Sequence, residues 1–107
     1  MTDKAAVKSP PSLDDLRARR EEIIALARRN KAFNVRVFGS VARGEASPES
    51  DVDLLVSMRE GASMFDLVGL WLDLQEMLGC EVSLITDDEN PRRERFLQRV
   101  RKDAVPL

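Results

Sequence analysis

The sequence predicts one mixed α/β (α+β) domain in which a small sheet of three to four strands is flanked by helices. The predicted elements run helix, strand, strand, helix, strand, helix over 107 residues, a length typical of a single domain. Apolar residues make up 43% of the chain, which is enough for one core. The centre of the second strand, residues 54–56, is apolar on both faces, as in a strand that is covered on both sides or central in its sheet.

The first predicted helix begins at Ser12, and Asp15 follows at the spacing of a capping box. Residues 1–11 are polar and aperiodic, and we interpret them as a flexible N-terminal arm. Apolar residues then recur at helical spacing, so one continuous helix is predicted over 12–30. The domain itself is predicted to cover residues 12–107.

Two strands separated by a connection follow this helix. Residues 34–38 alternate between apolar and polar side chains, and the strand they predict ends at Gly39-Ser40. Residues 41–50 form a connection with room for one helical turn. The second strand is predicted over 51–57.

The strongest helical pattern covers residues 65–78, with Phe65 and Trp71 expected in the core. A third strand is predicted over 81–86 and a last helix over about 90–102, with Asn-Pro at its start. Because a helix joins the second and third strands, we expect them to be parallel, either adjacent or separated by one strand.

The composition excludes several classes of function. The chain has no histidine, so catalytic triads, histidine bases and histidine-ligated zinc are excluded. Its one cysteine, Cys80, excludes an internal disulfide and fits a reducing compartment. A net charge of −2 argues against nucleic-acid or membrane binding through bulk charge. No apolar run approaches the length of about 18 residues that spans a bilayer, so we expect a cytoplasmic protein.

Asp51 and Asp53 form the most informative pair of residues in the sequence. Two positions apart on a strand, they point to the same face about 6.6 Å apart. The two carboxylates repel each other, and burial raises the cost of charging them. A divalent cation removes that cost, and Mg²⁺ binds one or two carboxylates together with substrate phosphates. Taken alone, such a pair is more often a strand cap at Asp51 and a solvated strand end at Asp53 than a metal site.

Gly39-Ser40 follows the first strand directly. A glycine lets the backbone turn sharply with its N–H groups exposed, and a serine adds a hydroxyl, so the pair can cradle phosphate oxygens. It can also be a simple turn. The combination of strand, Gly-Ser, ten residues and Asp-x-Asp is far less common than either motif.

This combination resembles a known family. Val37–Gly44 and Ser50–Val56 resemble the signature of the polymerase-β-type nucleotidyltransferases. The short chain and its closing segment Asp103–Leu107 are similar to the minimal nucleotidyltransferases (MNT). The resemblance covers residues 12–107 and implies the polymerase-β-like nucleotidyltransferase fold.

The resemblance also implies residue roles. Gly39 and Ser40 would contact the β- and γ-phosphates of ATP, and Asp51 and Asp53 would bind two Mg²⁺ ions that align the α-phosphate with an attacking hydroxyl. Two such ions stabilise both the entering and the leaving oxygen. Arg43 would either add positive charge near the phosphates or lie on a solvated surface.

The sequence departs from the family pattern in the third strand. The family has a third carboxylate where this chain has Ser83, and serine is neither a carboxylate ligand nor a base at neutral pH. Glu81, two residues earlier, either reaches a metal as a substitute catalytic carboxylate or is a solvated residue at the strand start. The departure bears on catalysis rather than on nucleotide or partner binding.

By resemblance, short members of the family are antitoxins that form hetero-oligomers with a HEPN-type toxin. Some transfer AMP from ATP to a tyrosine hydroxyl of that toxin. This chain has no tyrosine, so it cannot modify itself on that residue type. Three hypotheses follow: a Mg²⁺-dependent adenylyltransferase acting on the partner, an antitoxin that neutralises by binding alone, and a small-molecule transferase of the antibiotic-modifying type.

Overall fold

The computed structural model describes residues 10–88 and 90–107. The predicted N-terminal arm therefore lies mostly outside the described residues. The elements are, in chain order, α1 (Leu13–Ala18), α2 (Arg20–Arg29), β1 (Ala32–Phe38), α3 (Gly39–Arg43), β2 (Val52–Met58), α4 (Met64–Leu78), β3 (Val82–Thr86), a 3₁₀ turn (Pro91–Arg93), α5 (Glu94–Asp103) and β4 (Val105–Pro106).

The four strands form one mixed sheet in the order β3-β2-β1-β4. β1 runs antiparallel to both β2 and β4, whereas β2 and β3 are parallel neighbours. The predicted fold class and the parallel pairing are thus confirmed. The sequence did not predict β4, which is two residues long and pairs Val105 with Val37.

β2 is buried on both faces, as its apolar centre predicts. On one face, Leu54 packs in a large cluster with side chains of α2 and α4 such as Ile23 and Leu70. On the other face, Leu55 packs against Leu97 and Val100 of α5. Both faces of the sheet are therefore covered by helices.

The prediction of one continuous helix over 12–30 is wrong, because the chain bends at Arg19 (φ −109°, ψ 22°) and forms two helices. The capping box of Ser12 and Asp15 is present as predicted. Arg19 ends α1 and begins α2, and its guanidinium bonds to Glu22 at 2.8 Å and to the carbonyl of Met77 at 3.1 Å. These contacts hold the corner against α4.

The strand boundaries also differ from those predicted. β1 begins at Ala32, two residues earlier than expected, and is irregular between Phe33 and Arg36, where Asn34 has a φ of 54°. β2 begins at Val52, so Asp51 precedes the strand.

The expected core packing of Phe65 is wrong. Its side chain is 88% exposed, while Leu70 and Leu74 form the buried side of α4. Trp71 is only partly covered, and its indole N–H donates to the carbonyl of Val82 at 2.7 Å. Across residues 10–88 and 90–107, no helix has the length and apolarity needed to cross a membrane.

Candidate active site

Gly39 and Asp53 meet where β1 ends and β2 begins. Phe38 pairs with Asp53 across the two strands, and Gly39 follows with a φ of 75°, a left-handed conformation that favours glycine. A Cβ atom at Gly39 would overlap Oδ2 of Asp53. Both the backbone angle and this close approach therefore require glycine at position 39.

The Asp53 carboxyl lies in a partly desolvated position. Burial raises its pKa above the usual range, and the negative charge of Asp51 raises it further. The positive charge of Arg43 and the hydroxyl of Ser83 oppose this shift only in part. Two neighbouring carboxylates of this kind would fit a divalent cation of the Mg²⁺ type.

Asp51 lies just before β2 with its side chain exposed. The pKa of the Cys80 thiol on the neighbouring segment is raised, mainly by burial. The negative charges of Asp51 and Glu81 raise it further. Cys80 therefore stays protonated at neutral pH, in keeping with a structural role. Val52, the residue after Asp51, donates its N–H to the carbonyl of Glu81 at 3.1 Å. This hydrogen bond joins the starts of β2 and β3.

No third carboxylate from β3 joins the pair. Ser83 is the residue in register with Asp53 on β3, and the exposed Glu81 precedes that strand. Across the described part of the chain, no three Asp, Glu, Cys or His side chains are grouped so that they could hold a metal ion. The structure thus brings Asp51 and Asp53 together and leaves Glu81 outside such a group.

Asp103, the last residue of α5, belongs to the site although sequence reasoning did not select it. Its Oδ2 accepts hydrogen bonds from the N–H of Gly39 at 2.8 Å and from Nη1 of Arg43 at 2.6 Å. Its charge also contributes to the raised pKa of Asp53. No local pattern reveals this contact, because Asp103 lies 64 positions from Gly39.

The remaining predicted residues lie on α3. Arg43 is held between two acids, since its Nε also donates to Glu45 at 3.0 Å. Ser40 is half-buried in the first turn of α3, and its carbonyl accepts from the N–H of Glu45 at 2.8 Å. Gly39, Ser40 and Arg43 therefore all lie on one short helix, and its first residue, Gly39, lies beside Asp53.

A four-stranded mixed sheet with a glycine turn packed on an Asp-x-Asp pair is the arrangement of a nucleotidyltransferase. The profile of the family described as the nucleotidyltransferase domain matches residues 20–106, so the chain belongs to this family. Its fold is that of a minimal nucleotidyltransferase: a solved structure described as a candidate member of that group superimposes with a TM-score of 0.76 at 44% identity, covering 90% of this chain and 96% of the other.

Two further similarities were found. A candidate protein adenylyltransferase of Methanocaldococcus jannaschii is 40% identical over 67 residues, which are 63% of this chain and 72% of the relative. The MNT antitoxin fold is also matched in a solved complex with a triply AMPylated HEPN toxin from Shewanella oneidensis. That match has a TM-score of 0.62 at 21% identity and covers 84% of this chain and 69% of the other, so the likeness is one of fold alone.

Proposed function

We propose that this chain is a Mg²⁺-dependent adenylyltransferase that transfers AMP from ATP to a hydroxyl of a HEPN-type toxin and thereby acts as its antitoxin. The observation that carries the proposal is the close approach of Asp53 to Gly39, which puts a metal-binding type of carboxylate directly beside a turn suited to phosphates. Asp51 adds the second carboxylate.

In the proposed reaction, the acceptor hydroxyl oxygen bonds to the α-phosphorus of ATP. The bond from that phosphorus to the oxygen bridging to the β-phosphate breaks, pyrophosphate leaves, and the hydroxyl proton passes to solvent or to a nearby base. Mg²⁺ supplies charge neutralisation and alignment, which dominate catalysis in such transfers.

Each residue has a defined part in this proposal. Asp51 and Asp53 would hold the metal, and the α3 turn with Gly39 and Ser40 would position the terminal phosphates. Arg43 would add positive charge beside them. The Asp103 carboxylate accepts hydrogen bonds from the Gly39 N–H and from Arg43. The phosphates would therefore compete with this carboxylate for both donors.

The choice of acceptor is supported by the relatives. One similar protein is described as a protein adenylyltransferase, and one similar fold is described in complex with an AMPylated HEPN toxin. A hydroxyl on another molecule also agrees with the absence of tyrosine from this chain.

Ser83 favours a second candidate function, that of an antitoxin that neutralises its toxin by binding alone. A hydroxyl replaces the third carboxylate next to Asp53 in register, and general-base catalysis typically contributes about 10²- to 10⁴-fold. Loss of that contribution would leave nucleotide binding intact and make transfer slow or absent.

The test uses this chain and the HEPN-type protein that the proposal names as its partner, incubated with Mg²⁺ and ATP labelled at the α-phosphate. We expect the label on the HEPN protein, and no label with the double variant Asp51→Asn and Asp53→Asn. Glu60→Gln removes an exposed acid after β2 and serves as the matched control that keeps activity. If neither the natural chain nor Ser83→Asp transfers label while the toxin is still inhibited, binding alone is the function.

A further inference from the structure

Helix α4 is apolar on two opposite sides. Leu70 and Leu74 pack into the core, while a second row of large apolar side chains faces solvent. This outer seam consists of Met64, Phe65, Val68, Trp71 and Leu72. Leu72 is offset by two residues from both Leu70 and Leu74, which places the two rows about 200° apart.

The outer seam holds most of the large apolar side chains that are exposed in the described part of the chain. Among residues 10–88 and 90–107, seven large apolar side chains are exposed, and five of them lie on α4. Phe65 is 88% exposed and Leu72 is 52% exposed. A contiguous apolar patch of this kind marks an interaction site, whereas scattered single residues do not.

The seam continues towards the candidate active site. An apolar groove of about 270 Å³ runs between α4 and the free edge of β3, and Val68 and Trp71 belong to both the seam and the groove. Ser83 lies at the far wall of the groove and pairs in register with Asp53. A molecule seated on the seam would therefore extend to the edge of the sheet where transfer is proposed.

The geometry favours a helix over a strand as the occupant. The outward N–H and carbonyl of Val82 on the β3 edge are both already bonded, to Gln75 at 3.2 Å and to Trp71 at 2.7 Å. An added strand would have to break these bonds. In contrast, Phe65, Val68 and Leu72 have the spacing of three and four residues with which helices pack on one another.

The charge of α4 specifies the partner further. The helix carries the acids Asp66, Asp73 and Glu76 and no lysine or arginine. Asp66 lies 3.7 Å from Lys31 and Asp73 accepts a hydrogen bond from Asn30 at 3.4 Å, so the exposed Glu76 is the acid most available to a partner. A second copy packed through the same helix would place these acids against one another, because such an interface is symmetric. A partner helix flanked by basic side chains would complement them instead.

We propose that the outer seam docks an amphipathic helix of a partner protein, with an apolar face and flanking lysine or arginine residues. This helix belongs to the toxin that carries the acceptor hydroxyl, a point that rests on the proposed function. Docking on the seam would hold the acceptor near Ser83 and Asp53, so binding and transfer would share one surface.

The test measures the affinity of this chain for the purified HEPN protein by calorimetry in the absence of nucleotide. The double variant Phe65→Glu and Leu72→Glu should bind on the order of 100-fold more weakly, because buried aromatic and apolar anchors dominate such interfaces. The control is Phe96→Glu, an exposed aromatic residue of α5 outside the seam, with a change below about threefold. Thermal unfolding of each variant checks that the fold is kept.

Two further measurements address the charge and the location of the contact. Glu76→Lys should weaken binding and reduce its dependence on salt, because one attractive pair becomes repulsive. With the chain labelled by fluorotryptophan, the fluorine resonance of Trp71, its one tryptophan, should shift when the HEPN protein is added. An unshifted resonance in a formed complex would place the interface elsewhere.

Equal affinity of the natural chain and the double seam variant overturns the proposal, as does a natural chain that does not bind the HEPN protein. Concentration-dependent assembly of the chain alone, abolished by Phe96→Glu, would show that the seam instead receives α5 of a second copy. That helix is basic, since it carries Arg95, Arg99, Arg101 and Lys102. The ATP affinity of the double seam variant should equal that of the natural chain. If the natural chain binds no ATP, the proposed transfer fails while the docking result still stands.

Discussion

The carboxylate of Asp103 accepts a hydrogen bond from the backbone N–H of Gly39 at 2.8 Å. The same oxygen lies 2.6 Å from the guanidinium of Arg43. The end of α5 therefore puts a negative charge on the two groups that the proposed function assigns to phosphate. An anion already sits where anions are expected to bind.

Asp103→Asn should raise the affinity for ATP, because it removes a negative charge that competes with the phosphates. The same change should lower the free energy of unfolding, since the hydrogen bonds from Gly39 and Arg43 lose their charged acceptor. Calorimetric titration with ATP and Mg²⁺ measures the first effect and urea unfolding the second. Glu45→Gln, which also removes a negative charge bonded to Arg43 but none bonded to Gly39, is the control. Weaker ATP binding by Asp103→Asn would contradict this competition and show that Asp103 stabilises the ATP-bound protein.

Gly39→Ala should abolish Mg²⁺-dependent ATP binding and cost about 1 to 3 kcal/mol of stability through its left-handed backbone. The added methyl group also displaces the Asp53 carboxylate that it would overlap. Gly61→Ala is the matched control, because Gly61 has a φ of 89° but nothing within 4 Å of the added atom. It should lose stability and keep ATP binding. Normal ATP binding by Gly39→Ala would show that the turn at Gly39 is structural and does not contribute to nucleotide binding.

Asp53→Asn should be at least as stable as the natural chain without a cation at neutral pH. Burial raises the pKa of Asp53, so ionising it costs stability as the pH rises from about 3.9, the unfolded value, through the folded pKa. Mg²⁺ with ATP should raise the melting temperature of the natural chain and not that of the variant. Thermal unfolding with and without these ligands provides the comparison, and an equal gain in both proteins would contradict metal binding by Asp53.

Asp87 should make stability depend on acid pH. Hydrogen bonds from Arg101, and next from Arg36, lower the pKa of Asp87. Its contribution is therefore complete above about pH 3.9, the unfolded value, and is lost as the pH falls through the folded pKa. Asp87→Asn should cost about 1.5 to 3 kcal/mol at neutral pH, and the difference should vanish in acid.

Chemical unfolding between neutral and acid pH measures this dependence. Asp88→Asn is the control, because the Asp88 side chain is 43% exposed and that of Asp87 only 18%. A constant difference between the natural chain and Asp87→Asn at every pH would show that packing, and not ionisation, stabilises this site.

Ser83→Asp should increase the rate of AMP transfer to the HEPN protein, up to the range of about 10²- to 10⁴-fold that a positioned base contributes. Because residue 83 is in register with Asp53, the new carboxylate should also lower stability in the absence of Mg²⁺ through repulsion. If Glu81 substitutes for the missing acid, Glu81→Ala lowers the rate of the natural chain. Mass spectrometry of the HEPN protein follows both rates.

Features set by short stretches of sequence were predicted well. The capping box at Ser12, the helix stop at Gly79 and the start of the last segment at Asn90 all depend on neighbouring residues. The parallel pairing of β2 and β3 follows from the helix between them. In each case the determining interactions lie within a few residues or one connection.

Features set by distant contacts were missed. β4 is too short for any periodicity and exists because β1 offers it an edge. The contact of Asp103 with Gly39 depends on where α5 ends in space. Helical spacing showed that α4 is apolar, yet it did not show which of its two apolar sides is buried, so Phe65 was assigned to the wrong one.

Helix α5 reaches two separate places, with Arg101 bonded to Asp87 after β3 and Asp103 bonded to Gly39 after β1. A random mutagenesis screen for destabilised variants would therefore recover changes on this helix as readily as changes on β2. Positions that look like ordinary surface arginine and aspartate in a gene sequence would score as damaging. A ranking of positions by burial alone would overlook these residues.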